Sequence, residues 1–280
     1  MRLGPYTPGT AVTVGGPLAI SGNPTIAGAN GGVHANGNLS LSGNPTISSN
    51  ATASGTYSAS GNPAIGGIAA GGQPLVTIPT INPAQFFDSR DFRLASDGNV
   101  YNKDGVVQPK SGGKWNGWDY SSGKWSLSGN TTINATLYIE GDAVISGNIG
   151  STANPWVTTI IATKSIEVSG NPKMRPPTTT DAGSLYRSGT ENLLLVAGGD
   201  VKISGNPNQS YQGIIAAHEQ LSLSGNPTLN GFIVVENAAN SGGSYADNNT
   251  ISGNIGITYN GSLDNPFPGD VQVMTWQLGS

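Results

Sequence analysis

The chain has 280 residues, no cysteine and two histidines, with 12 Lys and Arg against 16 Asp and Glu for a formal net charge of −4. That composition excludes a disulfide framework and thiolate zinc sites, and it leaves no basic patch for nucleic acid. Gly (42) and Pro (18) are abundant, but the apolar residues are periodic, so a disordered chain is the weaker reading.

At the N-terminus, Met1 to Pro5 has no apolar run behind it, so neither a signal peptide nor a membrane helix is expected in this chain. Residues 1–78 then carry three copies of one phrase. Two strand-like residues lead into Ser-Gly-Asn, usually followed by Pro, at Asn23, Asn44 and Asn62. Six more copies centre on Asn130, Asn148, Asn171, Asn206, Asn226 and Asn254. The residues ahead of each copy alternate, as in Leu18-Ala19-Ile20 and Leu39-Ser40-Leu41, which reads as a strand with one buried face. Gly-Asn then turns the chain, because both residues tolerate positive φ. A second short strand follows, as in Thr25-Ile26, and a third apolar run precedes several copies, as in Leu193 to Ala197. No single repeat buries its own apolar face, whereas stacked repeats do. The early copies have small cores, often Ala, and are expected to form the less stable end.

Residues 79–125 break the pattern with Phe86, Phe87, Phe92, Tyr101, Trp115, Trp118, Tyr120 and Trp125. Asp97-Gly98 and Asp104-Gly105 read as hairpin turns. The segment is expected to be a lateral loop insertion packed on the side of the repeats. From 126 to 280 the repeat returns with fuller cores. Residues 172–188 and 237–249 read as loops by composition. The tail from Phe267 to Trp276 reads as a last strand that caps an open end. The expected fold is therefore all-β, a single-domain, right-handed parallel β-helix (solenoid) with a lateral aromatic-rich insertion, its hand following the general rule for parallel crossovers. The stacked Asn side chains are expected to bond from coil to coil.

Three phrases carry a resemblance: Ala197 to Asn206, Gly213 to Pro227, and Tyr138-Ile139-Glu140-Gly141-Asp142 leading to Asn148. They resemble the β-helical ectodomain of PilX-type pilus-assembly proteins of bacteria, over roughly residues 75–276. The resemblance implies a non-enzymatic, surface-displayed structural or adhesive module of a type IV pilus-like system. It implies pilin-like partners, an extracellular location, and membrane attachment only through an N-terminal helix that this sequence lacks. No catalytic residue and no cofactor come with it.

Candidate chemistry is sparse. The run Lys114 to Trp125 offers Trp115, Trp118, Tyr120 and Trp125 for stacking on sugar rings, with Asp119, Asn116 and Lys124 to bond hydroxyls. The competing reading is that these rings glue the segment to the repeats, since aromatics bury the most area per residue. Sugar stacking requires Trp115, Trp118 and Tyr120 to be exposed and roughly coplanar. Paired carboxylates, Asp88 with Asp91 and Glu140 with Asp142, are the raw material for a polysaccharide-degrading enzyme, but read better as turn and cap residues. Asp97, Asn99, Asn102 and Asp104 miss the spacing of a calcium loop. His218-Glu219-Gln220 lies between two strands and reads as a corner. A purely architectural filament subunit is a third reading.

Overall fold

The computed structural model describes residues 6–181, 187–205, 210–239, 246 and 248–268. Among the described residues the chain is all-β apart from one short 3₁₀ helix. Three turns of chain come first: β1 (Val12–Val14), β2 (Leu18–Gly22) and β3 (Thr25–Ala27); β4 (Val33–Ala35), β5 (Leu39–Leu41) and β6 (Thr46–Ile47); then β7 (Ala51–Ala53), β8 (Tyr57–Ala59) and β9 (Ala64–Ile65), followed by β10 (Ala69–Ala70). The 3₁₀ helix (Pro83–Ser89) leads to β11 (Phe92–Leu94), β12 (Val100–Asn102), β13 (Trp118–Ser121) and β14 (Lys124–Leu127). The second series holds β15 (Ala135–Ile139), β16 (Asp142–Ile145), β17 (Trp156–Ala162), β18 (Ile166–Val168) and β19 (Lys173–Arg175). It continues with β20 (Leu193–Ala197), β21 (Val201–Gly205), β22 (Ser210–Ala217), β23 (Leu221–Gly225), β24 (Thr228–Val235), β25 (Asn249–Gly253) and β26 (Gly256–Tyr259).

Two sheets result, and each turn of chain visits both. The smaller runs β13-β14-β16-β18-β21-β23-β25-β2-β5-β8, and the larger runs β10-β7-β4-β1-β24-β22-β19-β17-β15-β11-β12 along its main path. All pairs are parallel except β11 with β12 and β13 with β14. The order is not that of the sequence. The last turn, β24 to β26, pairs with the first, β1 to β3, through Ile233 with Val12, Ile251 with Ile20 and Ile257 with Ile26. The chain thus starts in mid-stack, builds one way to β10, crosses back, and builds toward its own beginning.

The repeat phrase explains the stacking. Ser204 and Gly205 sit beside Ser224 and Gly225, those beside Ser252 and Gly253, and those beside Ser21 and Gly22. Gly225 has φ of 86°, and a Cβ there would lie 2.0 Å from the Gly205 carbonyl oxygen, so both the turn and the close approach require glycine. The Asn side chains bond from turn to turn, as expected. Asn44 Nδ2 donates to Asn23 Oδ1 at 3.0 Å, and Asn23 Nδ2 to Asn254 Oδ1 at 3.1 Å. Farther along, Asn148 N and Asn171 N donate to Asn130 Oδ1 and Asn148 Oδ1. The copy at Asn206 lies outside the described residues, as does the expected cap at Trp276.

The small sheet alternates buried residues with exposed ones in β2 and β5 and with half-exposed ones in β18 and β23. Its inward residues, such as Leu18, Ile145, Ile203 and Leu223, join an inner core. Strands β15, β17 and β20 and the second halves of β22 and β24 are instead buried on both faces. Their outward side chains, Tyr138, Ile161, Val196, Ala216 and Val234, form a second core with Ile81, Phe86 and Phe267. Continuous apolar runs such as Leu193 to Ala197 are the sequence mark of such a strand.

The second core exists because the crossing segment lies on it. Ser54 Oγ donates to the Pro74 carbonyl, and Asn36 pairs both ways with the Val76 backbone at 2.8 and 2.9 Å. Ile81 N donates to Glu236 Oε2 at 2.8 Å. Asn82 caps the 3₁₀ helix, which seats Phe86 against Phe267 and Phe87 against Tyr138.

Two expectations need correction. The aromatic segment does not sit on the side of the repeats. After the crossing, β11 pairs with β15 and β14 with β16, so residues 92–127 form the end layer of both sheets, each ending in an antiparallel hairpin. Large rings fill that end, where no further turn among the described residues covers the inner core. The segment 172–188 is not all loop either. Met174 points into the core from β19, between Lys173 and Arg175, and that short alternation is masked by the prolines around it. Among the described residues no helix is long and apolar enough to cross a membrane.

Candidate functional site

The sugar-stacking residues are placed by the end layer. In the β13–β14 hairpin Trp118 faces Leu127 and Tyr120 faces Trp125. Side chains alternate along each strand, so Trp118 and Trp125 both point inward, and both are fully buried. Trp115 is 3% exposed and packs on Phe92 with ring centroids 4.8 Å apart. Trp125 Nε1 donates to the Ala95 carbonyl at 3.1 Å. The stacking expectation is therefore corrected for the three indoles, whose faces close the inner core. Asn116 (φ 46°), on a turn, and Asp119 and Lys124, on β13 and β14, are exposed.

Tyr120 differs. Its ring is half-buried, lies against Trp125 and Gly98, and donates its hydroxyl to the Ser96 carbonyl. It forms one wall of an open cleft of about 440 Å³, with Phe87, Tyr138, Glu140, Thr163 and Lys164 around the rest. This cleft lies where the crossing segment, the end layer and the β15–β16 turn meet. Sequence reasoning missed it. Its only local signal is the phrase Tyr138-Ile139-Glu140-Gly141, whose partners are distant in sequence.

The carboxylates weighed for catalysis have structural partners. Glu140 accepts from Arg93 Nε and Nη2 at 2.7 and 3.1 Å, and from the Ser96 backbone and hydroxyl. Burial pushes its pKa upward, but those donors win and hold it below the usual value. Asp142 accepts from Ser165 N, and Gly141 between the two acids has φ of 116°, so Glu140 and Asp142 do not share an extended face. Asp91 accepts from Thr136 N and pairs with Arg187. Asp88 is exposed, with Arg90 at 3.9 Å.

The calcium candidates are turn formers. Asp97 accepts from Asn99 N and Tyr101 Oη, and Asn102 Oδ1 from Asp104 N and Val106 N. Those donors, the Asn99 backbone first, hold the Asp97 carboxyl below its usual range. Among the described residues no three His, Asp or Glu groups converge on a metal-sized site. His218 Nδ1 meets Glu236 Oε2 at 2.6 Å, and the same oxygen holds Ile81 N. This pair ties the crossing segment to a corner of the large sheet.

No family model matches the chain, and no curated protein matches it. Among solved structures it is similar to the competence-associated pilin ComZ from Thermus thermophilus, over 95% of this chain and 72% of that one, with 12% sequence identity and a TM-score of 0.42. At that level the likeness assigns no role to any residue.

Proposed function

We propose that this chain is a non-enzymatic structural module, displayed outside the cell in a type IV pilus-like system and in contact with pilin-like subunits. On this reading its two sheets are faces of a right-handed parallel β-helix. The resemblance of Ala197 to Asn206, Gly213 to Pro227 and Tyr138 to Asn148 to PilX-type ectodomains supplies the system. The observation that carries the non-enzymatic part is the use made of the acids: Asp91, Asp97, Glu140 and Asp142 each fasten a backbone N–H of a turn or a neighbouring strand. An acid satisfied in that way is a fastener, poorly placed to shuttle protons. Fractionation of cells that carry the gene tests this. The chain is expected in the sheared surface fraction, co-purifying with pilin-like subunits. Recovery in the cytoplasm, free of them, would contradict it.

A second reading, contact with a polysaccharide surface, moves from the indoles to the cleft between Tyr120 and Tyr138. Its mixed aromatic and polar lining favours it. Retention on insoluble polysaccharide should fall in Tyr120→Ala and Lys164→Ala with no loss of thermal stability in the second. Equal retention of all three proteins would remove the reading.

A further inference from the structure

The two ends of the stack are built differently. At one, the sheets end in the antiparallel β11–β12 and β13–β14 hairpins, and three indoles fill the core. At the other, β8 pairs only with β5, β9 only with β6 and β10 only with β7, so the outer edge of each has no strand beside it among the described residues. The core is open there too. Ile65 lies over the fully buried Ile47, yet is itself half-exposed, and Ala59 over Leu41 is exposed. Ile68 is 57% exposed and Leu75 74%.

Open edges are normally blunted by charge, proline or a bulge. Here β8, β9 and β10 contain no charge and no proline, and their pairing with β5, β6 and β7 runs without a register shift. β8 and β9 are as long as β5 and β6, and β10 is one residue shorter than β7. From Leu3 to Phe87 the chain carries no Asp, Glu, Lys or Arg at all. Two such faces meet without charge repulsion.

The seam shows what this face accepts. There the turn β24 to β26 docks on β1 to β3 with no direct chain connection, through main-chain pairing, Ile-on-Ile stacking and the Asn23–Asn254 bond. The open end repeats the same phrase in the same register. We infer that a second copy of this chain docks on the open end, face to face about a two-fold axis, with β8, β9 and β10 pairing antiparallel to their counterparts. Self-complementarity is what a two-fold contact requires. The hairpins at the far end carry Lys103, Asp104, Lys110 and Lys114, so the assembly stops at two copies. This inference stands whether or not the pilus reading does.

Light scattering on the eluting full-length chain tests it, with Ile68→Lys/Ala70→Lys as the edge variant and Val107→Lys as a far-end control. The wild type and the control are expected at twice the 28.4 kDa chain mass, and the edge variant at the single mass with an unchanged far-ultraviolet circular dichroism spectrum. A dimer that survives the edge variant, one lost in Val107→Lys, or growth beyond two copies would overturn the inference. So would a monomeric wild type at high concentration, whether or not removing residues 269–280 then uncovers a dimer.

Discussion

The turns before residue 71 and those after residue 134 share one phrase but are held by different forces. The column on the outer face of the large sheet makes the difference visible. In register it reads Tyr138, Ile161, Val196, Ala216 and Val234, and then, across the seam, Thr13, His34 and Thr52. The apolar part is covered by Ile81, Phe86 and Phe267. The polar part is tied by hydrogen bonds, His34 Nδ1 with Thr52 Oγ1 at 2.9 Å and Asn36 with the Val76 backbone. The inner column shrinks as well, from Leu195 and Ile215 through Ile233 and Val12 to Val33 and Ala51. The Ser-Gly-Asn phrase therefore fixes the geometry of a turn, while stability is set by what fills and covers it. Each buried aliphatic side chain contributes about 1.5–3 kcal/mol, and an Ala much less.

The closed end should be the most sensitive place to break that contrast. Trp118→Ala is expected to cost about 3–5 kcal/mol, read from the urea midpoint. Trp118→Phe should cost far less, because the indole N–H is buried without a hydrogen-bond partner and its loss removes an unmet polar group. A matched pair sharpens the comparison. Ile203→Ala, fully enclosed, should cost about 2–5 kcal/mol, whereas Ile65→Ala at the open end should cost under about 1 kcal/mol in the monomeric edge variant. Equal losses would show that the two regions are held alike.

The smallest expected effect is a pH dependence confined to the N-terminal turns. Burial lowers the His34 pKa below its ordinary 6.5, with the Asn36 bond opposing. Its neighbours Thr52, Asn36 and Ser54 are uncharged. The unfolded chain then takes up the proton first, so stability is full above pH 6.5 and falls as pH drops toward the folded value. Glu140, Asp97 and Asp181 have lowered pKa values, so their contribution persists through this window and is lost only as pH falls through those values. Melting curves between about pH 7.5 and pH 5 should show the early loss in the wild type and less of it in His34→Gln.

Much of this fold is legible in the sequence. The alternation before each Ser-Gly-Asn, the Gly-Asn turn and the Asp97-Gly98 hairpin all appear where their local chemistry puts them. The order of the turns is not legible. Every copy carries the same edge, so nothing local says that Ile251 stacks on Ile20 across the seam while Asn62 is left at an end. The candidate site fails for a related reason. Trp115, Trp118 and Trp125 look like a binding platform until the end layer is known, because an aromatic that closes a core and one that stacks on a sugar have the same local sequence. The cleft beside Tyr120 draws on three segments that only the crossing brings together.

The seam is the central claim, and a disulfide tests it most directly, since the chain has no cysteine of its own. Ala19 and Thr250 are register partners on β2 and β25, neither of them buried. Paired strands lie about 4.8 Å apart, within reach of a disulfide. Ala19→Cys/Thr250→Cys is predicted to oxidise within one chain under mild air oxidation and to raise the melting temperature, which reduction then reverses. Thiols that stay reduced, or that cross-link only between chains, would contradict the docking of the last turn on the first.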